Sequence, residues 1–185
     1  IIRYLFFLLI HAQRPRRRKY ENALQELLWT GTSDGWITSI SFPNLMRYTS
    51  FCVKSGDKKS VTKGEHVKTL ISCSLGIASL TPTGLRIHDR GGCARAMYVI
   101  DQKNTYKMQC GSINVSETHA AVGSESSFGK EDASVHLFDL SYEDAPLQSV
   151  RLANAKATQV VHFMGRYGGQ SGVTVCGTTS GQIQI

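Results

Sequence analysis

The chain has 185 residues, 41% hydrophobic and 19% charged, which suits a folded domain with a real core and excludes an intrinsically disordered chain. Its formal net charge of +7 is concentrated at one end. Arg3, Arg14, Arg16, Arg17, Arg18 and Lys19 have no acidic residue among them, so residues 20–185 carry only about +1, too little for a whole-surface nucleic-acid footprint.

Residues 1–25 read as a basic leader outside the repeated part of the chain. Leu5 to Ile10 is an apolar run far shorter than the ~20 residues that span a bilayer. The basic block follows this run, the reverse of a signal peptide, so neither membrane association nor secretion is expected. Arg14, Arg16, Arg17, Arg18 and Lys19 read first as a solvated, flexible basic tail; they are also candidate phosphate contacts, and their composition suits a nuclear-localisation or anionic-surface patch. Residues 26–185 form the second unit, and from Leu27 the pattern is that of β-structure.

Leu27-Leu28-Trp29-Thr30-Gly31 reads as an apolar strand. Asp34-Gly35 predicts a two-residue type I′ turn, because both residues tolerate positive φ. Beyond the turn, Trp36, Thr38, Ile40 and Phe42 alternate with Ile37 and Ser39. Pro43-Asn44 breaks the strand, and an extended run resumes from Arg47 to Val53. After a polar, lysine-containing loop from Ser55 to Glu65, strands are expected at Val67–Ser74, Gly76–Leu80 and Leu85–His88, with a turn at Pro82-Thr83-Gly84. Further strands follow at Met97–Asp101, Tyr106–Cys110, Ala120–Gly123, Ser134–Leu140, Val150–Leu152, Gln159–Met164 and Val173–Ile185.

Val173 to Ile185 repeats the design of the first hairpin: strand, Gly177, turn residues, Gly181, alternating strand. Gly31, Gly123 and Gly177 occupy similar places, at separations of 92 and 54 residues. With roughly 40–45 residues per β-propeller blade, these intervals correspond to about two blades and one enlarged blade. The expected architecture is therefore all-β, an incomplete WD40-like β-propeller of about three to four blades with a non-propeller leader. The final hairpin stops without a trailing strand and the first residue is not Met, as expected of a segment of a longer chain.

No motif here specifies catalysis, and no catalytic, cofactor-binding or metal-binding residue is assigned. Gly31-Thr32-Ser33-Asp34-Gly35 fits G-x-S-x-G, but that motif needs a strand turning into a helix, and a β-branched strand follows instead. His88 and Cys93 lack the further ligands that a zinc site requires. The string G-x-x-x-x-G-K-[ST] is absent. Cys52, Cys73, Cys93, Cys110 and Cys176 are odd in number and widely spaced, as expected of reduced thiols in a cytosolic protein. Asn114-Val115-Ser116 is a glycosylation sequon relevant only to a secreted chain. Trp29, Trp36, Tyr48 and Phe51 cluster in the first blade and are expected mostly in core or inter-blade packing; any that prove exposed are candidate partner contacts. The functional class this favours is binding.

One stretch carries a more specific likeness. Glu26-Leu27-Leu28-Trp29-Thr30-Gly31, Gly35, Thr38-Ser39 and Pro43-Asn44-Leu45-Met46-Arg47-Tyr48-Thr49-Ser50-Phe51, followed by Gly76-Ile77-Ala78-Ser79-Leu80, Leu85 and Arg90-Gly91-Gly92, resemble the N-terminal WD40 propeller of the catalytic subunit of the poly(A)-nuclease deadenylation complex. Phe138-Asp139-Leu140, Pro146-Leu147-Gln148 and Ser180-Gly181-Gln182 resemble a later part of that propeller. The resemblance implies a seven-bladed propeller with blades missing between about Tyr98 and Ser112. It also implies a pseudokinase-like partner subunit and, farther along the family's chain, a pseudo-hydrolase domain and a metal-dependent exonuclease that shortens poly(A) tails. None of that later region is present in this sequence. The expected function is a non-catalytic scaffold in the cytoplasm, with mRNA-decay foci as one site, that recognises protein and poly(A) ribonucleoprotein, including poly(A)-binding protein or poly(A) RNA indirectly. The alternative is a generic WD-repeat interaction module unrelated to mRNA decay.

Overall fold

A computed structural model describes residues 6–11, 26–42, 44–54, 64–101, 105–126, 133–142, 145–152, 155, 158–164 and 173–185. The described residues form strands and turns arranged as four antiparallel sheets, each strand pairing with the next in sequence. The first sheet contains β1 (Phe6–His11), β2 (Glu26–Gly31), β3 (Trp36–Phe42) and β4 (Met46–Cys52). The second contains β5 (Thr69–Cys73), β6 (Gly76–Thr81), β7 (Gly84–Asp89) and β8 (Ala94–Tyr98). The third contains β9 (Tyr106–Ile113), β10 (His119–Ser126), β11 (Ser134–Asp139) and β12 (Gln148–Arg151). The fourth has three strands, β13 (Thr158–Met164), β14 (Val173–Thr178) and β15 (Ile183–Gln184).

Gly31, Gly123 and Gly177 fall in β2, β10 and β14, the second strands of the first, third and fourth sheets. The longer glycine interval therefore spans two blades and the shorter spans one. The expected strand at Met97–Asp101 lies earlier, as β8, and the second and third sheets pack directly on each other.

The leader differs from its sequence reading. Residues 6–11 pair antiparallel with β2, Phe6 opposite Gly31 and His11 opposite Glu26. An apolar run too short to span a membrane is long enough for one strand, and the unpaired edge of β2 offers it backbone partners. The basic residues Arg14, Arg16, Arg17, Arg18 and Lys19 lie outside the described residues.

The first hairpin also differs in its turn. Thr32 and Trp36 close a three-residue loop: the Thr32 N–H donates to the Trp36 carbonyl at 2.9 Å, and the Gly35 N–H donates to the Thr32 carbonyl at 3.2 Å. Gly35 has φ +87°, while Asp34 is not among the positive-φ residues. Confining the left-handed conformation to glycine avoids its steric cost at Asp34, which the type I′ turn would have required. The Thr32 hydroxyl accepts the Trp36 N–H at 3.0 Å. The same closure recurs in the fourth sheet, where Thr178 donates to Gln182 at 3.0 Å and Gly181 donates to Thr178 at 3.1 Å.

Three apolar cores alternate with the four sheets. Leu27, Trp29, Ile37 and Val53 meet Val67, Leu70 and Ile77 between the first and second sheets. Ala78, Leu80, Leu85 and Tyr98 meet Met108, Ala120, Val122 and Phe138 between the second and third. Cys110, Ala121 and Ala133 meet Val161 and Cys176 between the third and fourth. Successive residues of a strand point to opposite faces, so Ile77 enters one core and Ala78 the next. Each middle sheet is buried on both faces, and face-to-face stacking in chain order is the arrangement of propeller blades.

Candidate functional site

The candidate aromatic contacts separate by burial. Trp29 is 1% exposed, inside the first core, with its ring edge-on to Phe51 at 6.5 Å. Phe51 is partly buried against that core and packs on His88 at 4.8 Å. These two side chains hold blades together, which corrects their assignment as partner contacts. Trp36 is 48% exposed and Tyr48 is 56% exposed, leaving those two on the surface of the first sheet.

Two polar pairs repeat in the second and third blades. The Ser79 hydroxyl lies 2.8 Å from His88 Nε2, and the Ser124 hydroxyl lies 2.9 Å from His136 Nε2. Their register is the same: Ser79 faces Arg86 and Ser124 faces Ser134, with the histidine two residues farther along in each case. A hydroxyl and an imidazole at this distance resemble a nucleophile and its base. All four side chains are buried, however, so no substrate reaches them. Their role is to join strands across the blade interior. His136 extends the connection to β12 through Nδ1, 2.8 Å from the Ser149 hydroxyl.

Burial disfavours the imidazolium form and lowers both histidines to about 4; the charge of Arg86 adds to this effect at His88. The folded pKa lies below the ordinary value of 6.5, so this contribution is complete above about pH 6.5 and is lost as pH falls toward 4. Each histidine is expected to remove on the order of 3 kcal/mol across that window. Urea unfolding at stepped pH measures the loss, and His136→Asn should flatten its slope. An unchanged slope in that variant would contradict the burial of His136.

A third buried group ties the connection after the first sheet to the second blade. Arg86 Nη2 lies 3.2 Å from Glu65 Oε2, and Arg86 Nη1 donates to the Thr81 hydroxyl at 2.6 Å. The Glu65 carboxylate also accepts the N–H and hydroxyl of Thr83, both at 2.8 Å. Asp89 and Asp139 end β7 and β11, the third strands of their blades. Asp89 Oδ1 accepts the N–H groups of Gly91 and Cys93 at 2.9 Å, and Asp139 Oδ1 accepts the Ser141 N–H at 2.8 Å. These bonds favour the carboxylates and lower both pKa values. Phe138-Asp139 is therefore a strand-end unit, as its sequence position suggested.

Ser33 lies in the turn between β2 and β3, without the helix that an esterase elbow requires. Asn114 directs its side chain into its own turn. Oδ1 accepts the Thr118 and His119 N–H groups at 2.9 and 3.0 Å, while Nδ2 donates to Ser116 and Thr118. Modification at Nδ2 would disrupt that arrangement. All five cysteines are free; Cys73, Cys110 and Cys176 are buried, Cys52 is half-buried and Cys93 is exposed. Burial raises the Cys73 and Cys110 pKa values and keeps those thiols protonated. Among the described residues there is no group of three or more His, Cys, Asp or Glu able to hold a metal ion. Nor is any helix among them long and apolar enough to cross a membrane.

Solved structures share this arrangement of blades. The WD40 domain of Neurospora crassa Pan2 superposes with a TM-score of 0.59 at 16% identity, covering 82% of this chain and 40% of that one. The fold is that of a WD40 propeller segment. The WD40 propeller of Doa1 superposes equally well, with a TM-score of 0.59 at 15% identity over 85% of this chain and 45% of its own. Sequence comparison adds a narrower likeness to the propeller segment. It is 35% identical over 78 residues to the PAN2-PAN3 deadenylation complex catalytic subunit PAN2 of Gallus gallus, a match covering 42% of this chain and 6% of that protein. The Mus musculus subunit matches at the same identity and coverage. The propeller segment thus corresponds to a small part of its curated relatives' length. No family model matches it.

Proposed function

We propose that this chain is a non-catalytic WD40 scaffold of a poly(A)-specific mRNA deadenylation complex in the cytoplasm. The observation that carries the reading is the 35% identity to the catalytic subunit PAN2 over 78 residues, against a background of shared WD40 fold. Its work is recognition: exposed blade surfaces engage a pseudokinase-like subunit and poly(A)-bound protein, while the exonuclease activity belongs to a domain outside this sequence. Trp36 and Tyr48 supply accessible aromatic area suited to a protein partner.

The test is capture of the purified partner subunit, and separately of poly(A)-binding protein on A-rich RNA, by the immobilised chain. Retention of either is expected, with weaker capture by Tyr48→Ala. Failure to retain both, with retention of an unrelated protein, would favour a WD-repeat module outside mRNA decay. The basic segment gives a separate prediction. If Arg14, Arg16, Arg17, Arg18 and Lys19 contact RNA phosphates, log affinity should fall against log salt with a slope of about −3.5 for single strands. Replacing all five with Gln should abolish that slope; a slope that survives would remove the segment from the RNA interface.

A further inference from the structure

Glu117 combines two unusual properties. Its φ is +55°, in the left-handed region, and among the described residues only Leu45 shares that condition outside glycine. Its carboxylate reaches 43 residues back along the chain, to the turn between β5 and β6. There Oε1 accepts the Ser74 N–H at 2.7 Å and Oε2 accepts the Ser74 hydroxyl at 2.6 Å. The turn between β9 and β10 fixes the carboxylate in place. The Glu117 N–H donates to the Asn114 carbonyl at 2.9 Å, and the Asn114 side chain accepts the N–H groups of Thr118 and His119. Backbone strain of this kind persists where the surrounding structure holds it, and here it accompanies a bridge between the second and third blades. Ser74 is exposed at its hairpin tip, and Leu75 and Val115 are exposed in the same two turns. Among the described residues no Lys, Arg or His pairs with Glu117.

We propose that this bridge is a latch controlled by phosphorylation of Ser74. A protein kinase using a nucleoside triphosphate joins the Ser74 Oγ to the terminal phosphorus. The bond from that phosphorus to the nucleoside diphosphate breaks, and the kinase takes up the hydroxyl proton. The product carries a charge of about −1.5 to −2 at pH 7 and has lost the hydroxyl donor. Glu117 then faces an anion where it had a donor, with no cation paired to it that could absorb the added charge. The carboxylate leaves Ser74 and the two turns part. Unmodified Ser74 keeps the second and third blades latched; once it is phosphorylated, the exposed Leu75 and Val115 lose their fixed spacing.

The full 185-residue chain with phosphoserine installed at position 74 tests the latch. Urea unfolding should show the unfolding equilibrium constant raised about tenfold over the unmodified chain, the equivalent of one charge-assisted hydrogen bond. Hydrogen exchange should quicken at the Ser74 and Glu117 amides and stay unchanged in β14. Glu117→Lys supplies the decisive comparison, because it reverses the charge facing position 74. Alone it should weaken the latch, whereas with phosphoserine it should restore it through an opposite-charge contact. The phosphoryl group therefore destabilises beside Glu117 and stabilises in the Lys variant. Both positions lie in surface turns, and circular dichroism and cooperative unfolding verify that each protein folds. ATP and a panel of serine/threonine kinases should place phosphate on the peptide containing Ser74, read by mass spectrometry. A phosphoserine chain as stable as the unmodified one overturns the proposal. So does a loss of equal size with Glu117→Lys in place, which would locate the effect in the turn itself. Absence of phosphate from the Ser74 peptide removes Ser74 as an acceptor and overturns the proposal as well.

Discussion

Glu65→Ala is expected to remove about 3–5 kcal/mol of folding stability, because it leaves the Arg86 guanidinium buried without its counter-charge. A charge in that position cannot regain water without opening the sheet, and a typical domain has only about 5–15 kcal/mol to lose. The same substitution releases the Thr83 N–H and hydroxyl and frees the connection that follows β4. Equilibrium unfolding in urea measures the loss, which in a chain of this size corresponds to a melting shift of about 10 °C. The double variant Glu65→Leu, Arg86→Met should recover much of it, since removing both charges removes the uncompensated one. Thr83 still loses its acceptor there, so recovery should be incomplete. A Glu65→Ala cost below about 1 kcal/mol would show that water reaches Arg86.

Trp29→Ala should produce a comparable loss of about 3–5 kcal/mol by a different cause: the largest side chain of the first core is replaced by a cavity. Phe51→Ala should cost less, because Phe51 lies at the half-buried margin. The chain has only two tryptophans, so fluorescence distinguishes their surroundings. Trp29→Ala should shift emission to the red, toward that of exposed Trp36, and Trp36→Ala should shift it to the blue. Emission unchanged by both substitutions would contradict the difference in their burial.

The strands were legible in the sequence because glycine, proline and turn dipeptides interrupt apolar runs at nearly regular intervals. The matched turns at Gly35 and Gly181 are visible in the string itself and close through the same backbone bonds. The inward face was less legible. In β3, Trp36 and Ile40 lie on one side and Ile37 on the other, and both sides offer apolar residues. The core takes Ile37 together with Ser39 and Ser41, leaving the larger Trp36 half exposed. A blade between two neighbours can cover both faces, so the alternation that separates core from solvent in a one-sided sheet loses its meaning. The Glu65–Arg86 pair gave no local signal either, since residues 21 apart meet only through the packing of a loop on a hairpin. The serine–histidine pairs did leave a trace: serine in one strand and histidine two positions beyond its partner in the next, repeated in two blades. The first strand was missed because its apolar run precedes a dense basic segment and was grouped with it as a leader.

The stacking of sheets in chain order also sets how the molecule opens. Separating an end sheet breaks one of the three cores, whereas exposing a middle sheet breaks two. Among the described sheets, amides of a sheet with a core on each face should therefore exchange more slowly than those of a sheet with one core. The most slowly exchanging amides should belong to β6 and β10, whose apolar side chains enter the cores on both sides of their own sheets.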